Sequence, residues 1–168
     1  IGFVKEHALR EYAIGLGLGV VFAVVTGGIA VAAGKAKLFT GTAPGMLVLF
    51  LLGYLIQGMA EELLYRRYLM VTTVAVLISA VIGALPYAAG AVEAPLAFLN
   101  GMLFGIFAAL YLIRRGNIWG IGAFHAAWSF VRDIVFGTPD QVATVVVLLV
   151  GMILVGGKRP WGKAESCC

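Results

Sequence analysis

The sequence has little charge and almost no cysteine. Charged residues make up 12% of the 168-residue chain, whereas a soluble domain carries about 25%, so a soluble globular domain is excluded. The only cysteines are the last two residues, Cys167 and Cys168, which we interpret as part of a disordered tail rather than as a lipidation site. The net charge of +4 does not indicate a nucleic-acid partner, because the basic residues gather at the ends of apolar segments.

The chain is instead rich in long apolar runs. The chain is 62% hydrophobic with a mean hydropathy of +1.03, which predicts an integral membrane protein. The runs are continuous rather than alternating, so we expect an all-α fold, a polytopic transmembrane helical bundle of about six spans. The predicted spans are Tyr12–Ala33, Pro44–Met70, Thr72–Gly90, Pro95–Ile113, Ile118–Phe136 and Val142–Val155.

The predicted domain organisation is a single bundle with short flanks. We expect a juxtamembrane segment at 1–11, the bundle at 12–156 and a basic tail at 157–168. Glycine pairs spaced four apart indicate close helix packing rather than a function. These pairs are Gly15 with Gly19, Gly101 with Gly105, and Gly116 with Gly120.

The distribution of basic residues predicts an orientation in the membrane. Six spans put both termini on one side, and nine of the 12 Lys and Arg residues then share that side. Lys35 and Lys37 lie on the other side, and Arg132 lies within a span. The positive-inside rule therefore predicts cytoplasmic termini, and we expect the cell (inner) membrane as the location.

Two adjacent glutamates interrupt the second apolar run. Glu61 and Glu62 follow a stretch without charge that begins at Pro44, and a carboxylate there costs several kcal/mol unless it is paired or faces a wet cavity. Arg66 lies four residues after Glu62, the spacing of a helical ion pair. Glu61 then has no partner on its own helix except Tyr65, and can act as a general base. The alternative is that both glutamates reach the membrane interface and meet basic residues and headgroups.

A second polar group lies in the fifth run. His125, Ser129 and Arg132 fall on one face of a helix, flanked by Trp128, and can donate hydrogen bonds to an oxyanion or hold a water. A lone histidine is more often a structural hydrogen-bond donor, and Asp133 is a candidate partner for Arg132. At about 1.5 Å per residue, Glu61 and His125 lie roughly 8–15 Å below the same surface.

These two stretches together resemble the CPBP family of membrane proteins. Its members are the CAAX-protease and bacteriocin-processing proteins, which include the type II CAAX prenyl endopeptidases. The family motif EExxxR matches Glu61, Glu62 and Arg66, and GMLFGIFAALYLIRRGNIWGIGAFHAAWSF is similar to the approach to the family's HxxxN. The resemblance covers roughly Tyr12 to Phe136.

The resemblance implies catalytic roles for five residues. Glu61 is the base that activates water, Glu62 and Arg66 support it, and His125 and Ser129 stand at the positions of HxxxN, with Ser129 replacing the asparagine. The family's middle motif, FxxxH, is degenerate, because Ile82 and Pro86 occupy its two positions. Proline supplies no donor, base or ligand.

Two functions follow from this pattern. One is an intramembrane endopeptidase that attacks a peptide bond near the cytoplasmic face. The other is an inactive pseudoprotease that acts by binding, as an immunity or regulatory factor or as a small subunit of a larger membrane complex. A transporter would predict half-helices or internal repeats, and the sequence has neither.

The expected partners are the lipid bilayer and a membrane protein or peptide, and no nucleic acid. We expect no cofactor and no metal, since the roughly 100° between adjacent helical positions opposes two glutamates sharing one ion.

Overall fold

The computed structural model describes residues 5, 7–38, 41, 44–68, 73–88, 94–137 and 140–156. Within the helices, the side chains at 66–68, 73–76, 79, 86–88 and 94 are outside the description. The described residues form six α-helices and no strand, as the apolar runs predict. The helices are α1 Ala8–Ala32, α2 Pro44–Glu62, α3 Thr73–Ala88, α4 Ala94–Arg115, α5 Ile118–Phe130 and α6 Gln141–Gly156.

Two of these helices continue into π-helical turns. Leu63–Tyr68 follows α2, and Val131–Val135 follows α5. The predicted second and fifth spans each therefore combine an α-helix with a π-helical end. π-Helical turns are rare and often occur at functional sites.

Three of the described helices are long and apolar enough to cross a membrane. They are Ala8–Ala32, Pro44–Tyr65 (α2 with the start of its π-helical turn) and Pro95–Arg115, while α6 is apolar but shorter. A membrane protein of helical-bundle type agrees with these lengths. The number of six spans stays a prediction.

α5 is the central helix of the bundle. Its residues 118 and 120–129 are all buried, and α1, α2 and α4 pack against it. Its start is defined by Asn117, whose side chain accepts a hydrogen bond of 3.1 Å from the Trp119 N–H. The preceding Gly116 has φ +68° and ends α4, a conformation that glycine adopts without strain.

Polar contacts show which helix ends lie together. Glu11 of α1 accepts two hydrogen bonds from Arg115 of α4, at 2.6 and 2.8 Å, and Arg114 donates to the Gly156 carbonyl at the end of α6. At the other end, Lys35 lies 3.2 Å from Asp140. Lys35 and Asp140 therefore share one end of the bundle, as the predicted topology requires. Glu93, Lys158, Arg159 and Lys163 lie outside the described residues.

Aromatic side chains fill the core between α1, α4 and α5. Phe124 lies at the centre, with ring centroids 4.9 Å from Phe107, 5.3 Å from Phe22 and 6.0 Å from Trp128. Burial of such rings contributes most of the packing energy of a core. This cluster fixes the position of the helix that carries His125.

Two glycines allow α1 to approach α5 closely. A Cβ at Gly15 would collide with the Gly120 carbonyl group, and one at Gly19 would lie 2.9 Å from the Ala127 Cβ. Gly17, two residues after Gly15, has open space around it. The glycine pair of α1 is therefore a packing surface, as its spacing predicts.

We expect Gly15→Ala to separate α1 from α5 and to lower the free energy of unfolding by about 1–3 kcal/mol, the usual cost of overpacking. Gly17→Ala is the matched control on the same helix and should leave stability unchanged or slightly raised. Both variants are compared by denaturant titration of the purified protein in detergent micelles. Equal stabilities for the two variants would contradict the close approach.

Asp140 caps the N-terminus of α6. Its Oδ1 accepts hydrogen bonds from the N–H groups of Val142 at 2.9 Å and Ala143 at 3.3 Å. Burial acts to raise the pKa of Asp140, but these N–H groups and Lys35 outweigh it and hold the pKa below its ordinary value of 3.8. The folded state therefore binds the proton less tightly than the unfolded state does.

This cap predicts a pH-dependent contribution to stability. It is fully present above the ordinary pKa of Asp140 and is lost as pH falls through the lowered pKa of the folded state. Asp140→Ala should cost about 1 kcal/mol at pH 7, and Asp140→Asn, which keeps a capping oxygen, should cost less. Denaturant titrations at pH 7 and pH 3 measure both effects. A cost of Asp140→Ala that is the same at both values would show that the carboxylate is not responsible.

Candidate functional site

Glu61, Glu62 and His125 meet at the contact between α2 and α5. His125 Nδ1 lies 2.9 Å from Glu62 Oε1, and His125 Nε2 lies 3.6 Å from Glu61 Oε2. The structure therefore brings together two groups that are 63 positions apart in the sequence. The two carboxylates lie at opposite nitrogens of one imidazole ring.

The two glutamates differ in their surroundings. The side chain of Glu62 is completely buried, whereas that of Glu61 is 34% exposed. When Glu62 is ionised it only accepts hydrogen bonds, and its contact with His125 then places the imidazole proton on Nδ1. Nε2 of a neutral His125 is then an acceptor that faces Glu61.

Gln57 is a partner of Glu61 that the sequence interpretation missed. Its Nε2 donates a hydrogen bond of 2.9 Å to Glu61 Oε1. The expectation that Glu61 has no partner on its own helix except Tyr65 is therefore wrong. The sequence does contain a signal for this contact, because Gln57 precedes Glu61 by four residues, the spacing of side chains that meet on a helix.

Close backbone approach allows these short contacts. A Cβ on Gly58 of α2 would lie 2.9 Å from both the Ala126 nitrogen and the Gly122 oxygen of α5. The preceding turn of α2 carries Tyr54, which packs edge-on against Phe130. Small residues at the crossing point bring the two helices within reach of a carboxylate and an imidazole.

A cavity of about 150 Å³ adjoins this cluster. Glu61, His125 and Ser129 line it, and Glu62 does not. Small side chains of α3 and α4 form much of the remaining wall. The other lining residues are Tyr65, Ala80, Gly83, Ala97, Asn100, Gly101, Phe104, Gly105, Trp128, Arg132, Gln141, Thr144 and Leu148.

His125 is held in this wall by an aromatic neighbour. The rings of Phe104 and His125 have centroids 4.5 Å apart, and His125 is 8% exposed. Together with the hydrogen bond to Glu62, this packing restricts rotation of the imidazole. One nitrogen of the ring is thereby kept toward Glu61.

Arg132 also lines the cavity, and its charge is balanced by Asp133. Arg132 Nε donates to Asp133 Oδ1 at 2.7 Å, and Tyr54 OH donates to Asp133 Oδ2 at 2.9 Å. The prediction that Asp133 is the partner of Arg132 is confirmed. Tyr54 was not predicted, since it lies 79 positions from Asp133 in the sequence.

Two sequence predictions concern side chains that the structure does not describe. They concern the Glu62–Arg66 ion pair and the consequences of Pro86 in place of a histidine. The described cavity residues of α3 are Ala80 and Gly83, neither of which can titrate or bind a metal. Ile82, at the aromatic position of the degenerate motif, is 38% exposed and is not among the cavity residues.

The described residues do not fit a metal site. Among them, no group of three or more His, Cys, Asp or Glu residues is placed to hold a metal ion. Glu61 and Glu62 contact opposite nitrogens of His125, so these three groups do not converge on one point, whereas a catalytic zinc commonly takes three converging protein ligands.

Comparison with known proteins identifies the family. No curated protein and no solved structure matches the chain. A family model, described as type II CAAX prenyl endopeptidase Rce1-like, matches residues 43–131, which is more than half of the chain. The matched region contains Glu61, Glu62, Arg66, His125 and Ser129, and it is shorter than the Tyr12–Phe136 range of the sequence resemblance. The chain therefore belongs to the type II CAAX prenyl endopeptidase Rce1-like family of membrane proteases.

Proposed function

We propose that the protein is an intramembrane endopeptidase in which Glu61 activates the attacking water. The observation that carries this proposal is the position of Glu61, which is partly exposed at the cavity wall with its Oε2 3.6 Å from His125 Nε2. A water placed beside both atoms has two acceptors within hydrogen-bond reach. Such a water is oriented and can lose a proton to Glu61.

In the proposed reaction, Glu61 both accepts and returns the transferred proton. Glu61 takes one proton from water, and the resulting hydroxide attacks the carbonyl carbon of the peptide bond. The carbonyl oxygen becomes an oxyanion, the carbon–nitrogen bond then breaks, and Glu61 returns its proton to the leaving amine. Glu61 is therefore unchanged at the end of one turnover.

Four other residues support this reaction. Glu62 holds His125 through the 2.9 Å contact with Nδ1, and Gln57 holds one oxygen of Glu61. Ser129, one helical turn after His125 and 8% exposed in the cavity wall, is the proposed donor to the oxyanion. We retain Arg66 as a proposed support of Glu62, on the strength of the EExxxR motif.

The proposed setting is a multi-pass protein of the cell membrane with both termini in the cytoplasm. Arg114 and Arg115 lie at the end of the bundle where α1 begins and α6 ends, and basic residues favour the cytoplasmic side. The family is named for prenylated CAAX substrates. A prenylated peptide ending in Cys, two aliphatic residues and a final residue is therefore the first substrate to test.

We expect Glu61→Gln to lower kcat at least 10²- to 10⁴-fold, because the amide cannot accept a proton from water. The measurement is cleavage of a farnesylated peptide of this type, and of a library of membrane-embedded peptides, by purified protein in lipid nanodiscs. Asp140→Asn is the matched control, since it also replaces a carboxylate by an amide but lies outside the cavity. Cleavage that persists in Glu61→Gln would rule out Glu61 as the base.

A second function is favoured by the composition of the cavity wall. Pro86 stands where the family motif has a histidine, and the described cavity residues of α3 are Ala80 and Gly83. Compared with a family member that has this histidine, the protein has one fewer group for stabilising the oxyanion. We propose as the alternative a pseudoprotease that binds a membrane peptide or partner protein without cleaving it, as an immunity or regulatory factor or as a small subunit.

Replacing the proline tests which of the two functions applies. We expect Pro86→His to raise cleavage of the same peptides at least tenfold if the protein is a protease weakened at this position, because a donor to the oxyanion is worth about 10²–10³ in rate. Leu85→His is the control, since Leu85 is 54% exposed and does not line the cavity. No cleavage by either the parent protein or Pro86→His, together with a stoichiometric membrane partner on purification, would favour the pseudoprotease.

A further inference from the structure

Asn100 is a buried polar residue of the cavity that the proposed reaction does not use. It lies on α4, is 7% exposed and forms part of the cavity wall beside Gly101. The catalytic cluster is formed by α2 and α5, whereas Asn100 contacts the first residue of α6, Gln141. Its role therefore needs a separate explanation.

The hydrogen bonds of Asn100 assign the two ends of its amide. Its Nδ2 donates to the Gln141 main-chain oxygen at 2.9 Å and to Gln141 Oε1 at 2.6 Å. A main-chain carbonyl only accepts hydrogen bonds, so the atom that faces it is the nitrogen. Oδ1 is consequently the remaining acceptor, and this buried atom receives no hydrogen bond from the described part of the chain.

A nearby hydroxyl does not satisfy this oxygen. Thr144 lines the same cavity, but its Oγ1 donates to the Asp140 main-chain oxygen at 2.9 Å. An unsatisfied buried acceptor destabilises the protein, and a ligand that donates to it recovers the lost hydrogen bond. The unsatisfied oxygen thus favours a ligand with an N–H or O–H group.

The pair of amides complements a peptide group. Asn100 supplies an acceptor, and Gln141, whose Oε1 is already bonded to Asn100, has the two hydrogens of its Nε2 as donors. A peptide backbone offers one N–H and one C=O at each residue. Gly101 and Gly105, which have no side chains beyond hydrogen, line the cavity next to this pair and leave room for a backbone.

We propose that Asn100 and Gln141 bind the main chain of a peptide in the cavity, with Asn100 Oδ1 accepting a hydrogen bond from a substrate N–H. The proposal rests on the proposed function in that its ligand is a peptide, but it applies equally to a peptide that is bound and not cleaved. The pair would hold the chain on α4 and α6 while Glu61 and His125 act on it from α2 and α5.

Ester substitution in a peptide tests this contact without relying on catalysis. The probe is a fluorescent, farnesylated peptide ending in Cys, two aliphatic residues and a final residue, and its Kd is measured with the Glu61→Gln protein in nanodiscs. A set of peptides carries an ester in place of one amide at a time, which removes a single N–H. We expect one ester to weaken binding about fivefold to tenfold, as loss of one hydrogen bond does.

A double-mutant cycle identifies Asn100 as the acceptor. In the Asn100→Leu variant of the same protein, the sensitive ester should have no further effect, because the oxygen that received the N–H is gone. Thr144→Val is the matched control and should keep the full sensitivity, since its hydroxyl donates to the main-chain oxygen of Asp140 and not to Asn100. A merely structural role of Asn100 would weaken all peptides equally.

The outcomes separate this proposal from the proposed function. Binding with an Asn100-dependent ester effect but no cleavage by the parent protein would support the backbone contact and contradict the protease. Cleavage with no sensitive ester, or with a sensitive ester that Asn100→Leu leaves unchanged, would overturn the backbone contact alone. If Asn100→Leu does not fold, the ester set on Glu61→Gln still shows whether the cavity binds a main-chain N–H. Absence of peptide binding altogether would overturn both.

Discussion

The hydrogen bond between Glu62 and His125 joins the two helices on which the rest of the site depends. Glu62 is completely buried, and a buried carboxylate without partners costs several kcal/mol. α2 is therefore constrained to the register that brings Glu62 to Nδ1 of His125. The same register places Glu61, the preceding residue, at the cavity wall beside Nε2. One contact thus determines both the packing of α2 and the position of the proposed base.

Small residues make that contact possible within an apolar bundle. Lipid provides little hydrophobic force between helices, so close packing has to supply the attraction. Gly58 and Gly122 lie at the crossing of α2 and α5, and Gly15 and Gly19 bring α1 against the other side of α5. Both helices of the site then end in π-helical turns, whose wider winding turns the following side chains away from the α-helical positions.

The helices could be predicted from the sequence far better than the contacts between them. Apolar runs locate the six helices of the described residues, because burial in lipid or protein acts on whole segments. Spacing along one helix suggested Arg66 as the partner of Glu62 and could have suggested Gln57 for Glu61. It could not find the contact of Glu62 with His125 or that of Tyr54 with Asp133, because these residues lie 63 and 79 positions apart. Only the depth argument, that Glu61 and His125 lie in one layer, anticipated their meeting. The Asn100–Gln141 pair had no sequence signal at all.

The comparison of a protease with a binding protein depends on how much the buried polar cluster contributes to the stability of the fold. A buried ion pair or carboxylate–imidazole pair contributes little net stability, and apolar residues of similar volume often replace such pairs without loss. Net stability alone therefore does not explain why Glu62 and His125 are buried together. Loss of one oxyanion donor reduces a rate by about 10²–10³, whereas enzymes commonly exceed the uncatalysed rate by about 10⁶ or more. The missing histidine at Pro86 is thus compatible with the proposed function as a slow protease, and the contacts of Glu61 and Glu62 with His125 support that proposal.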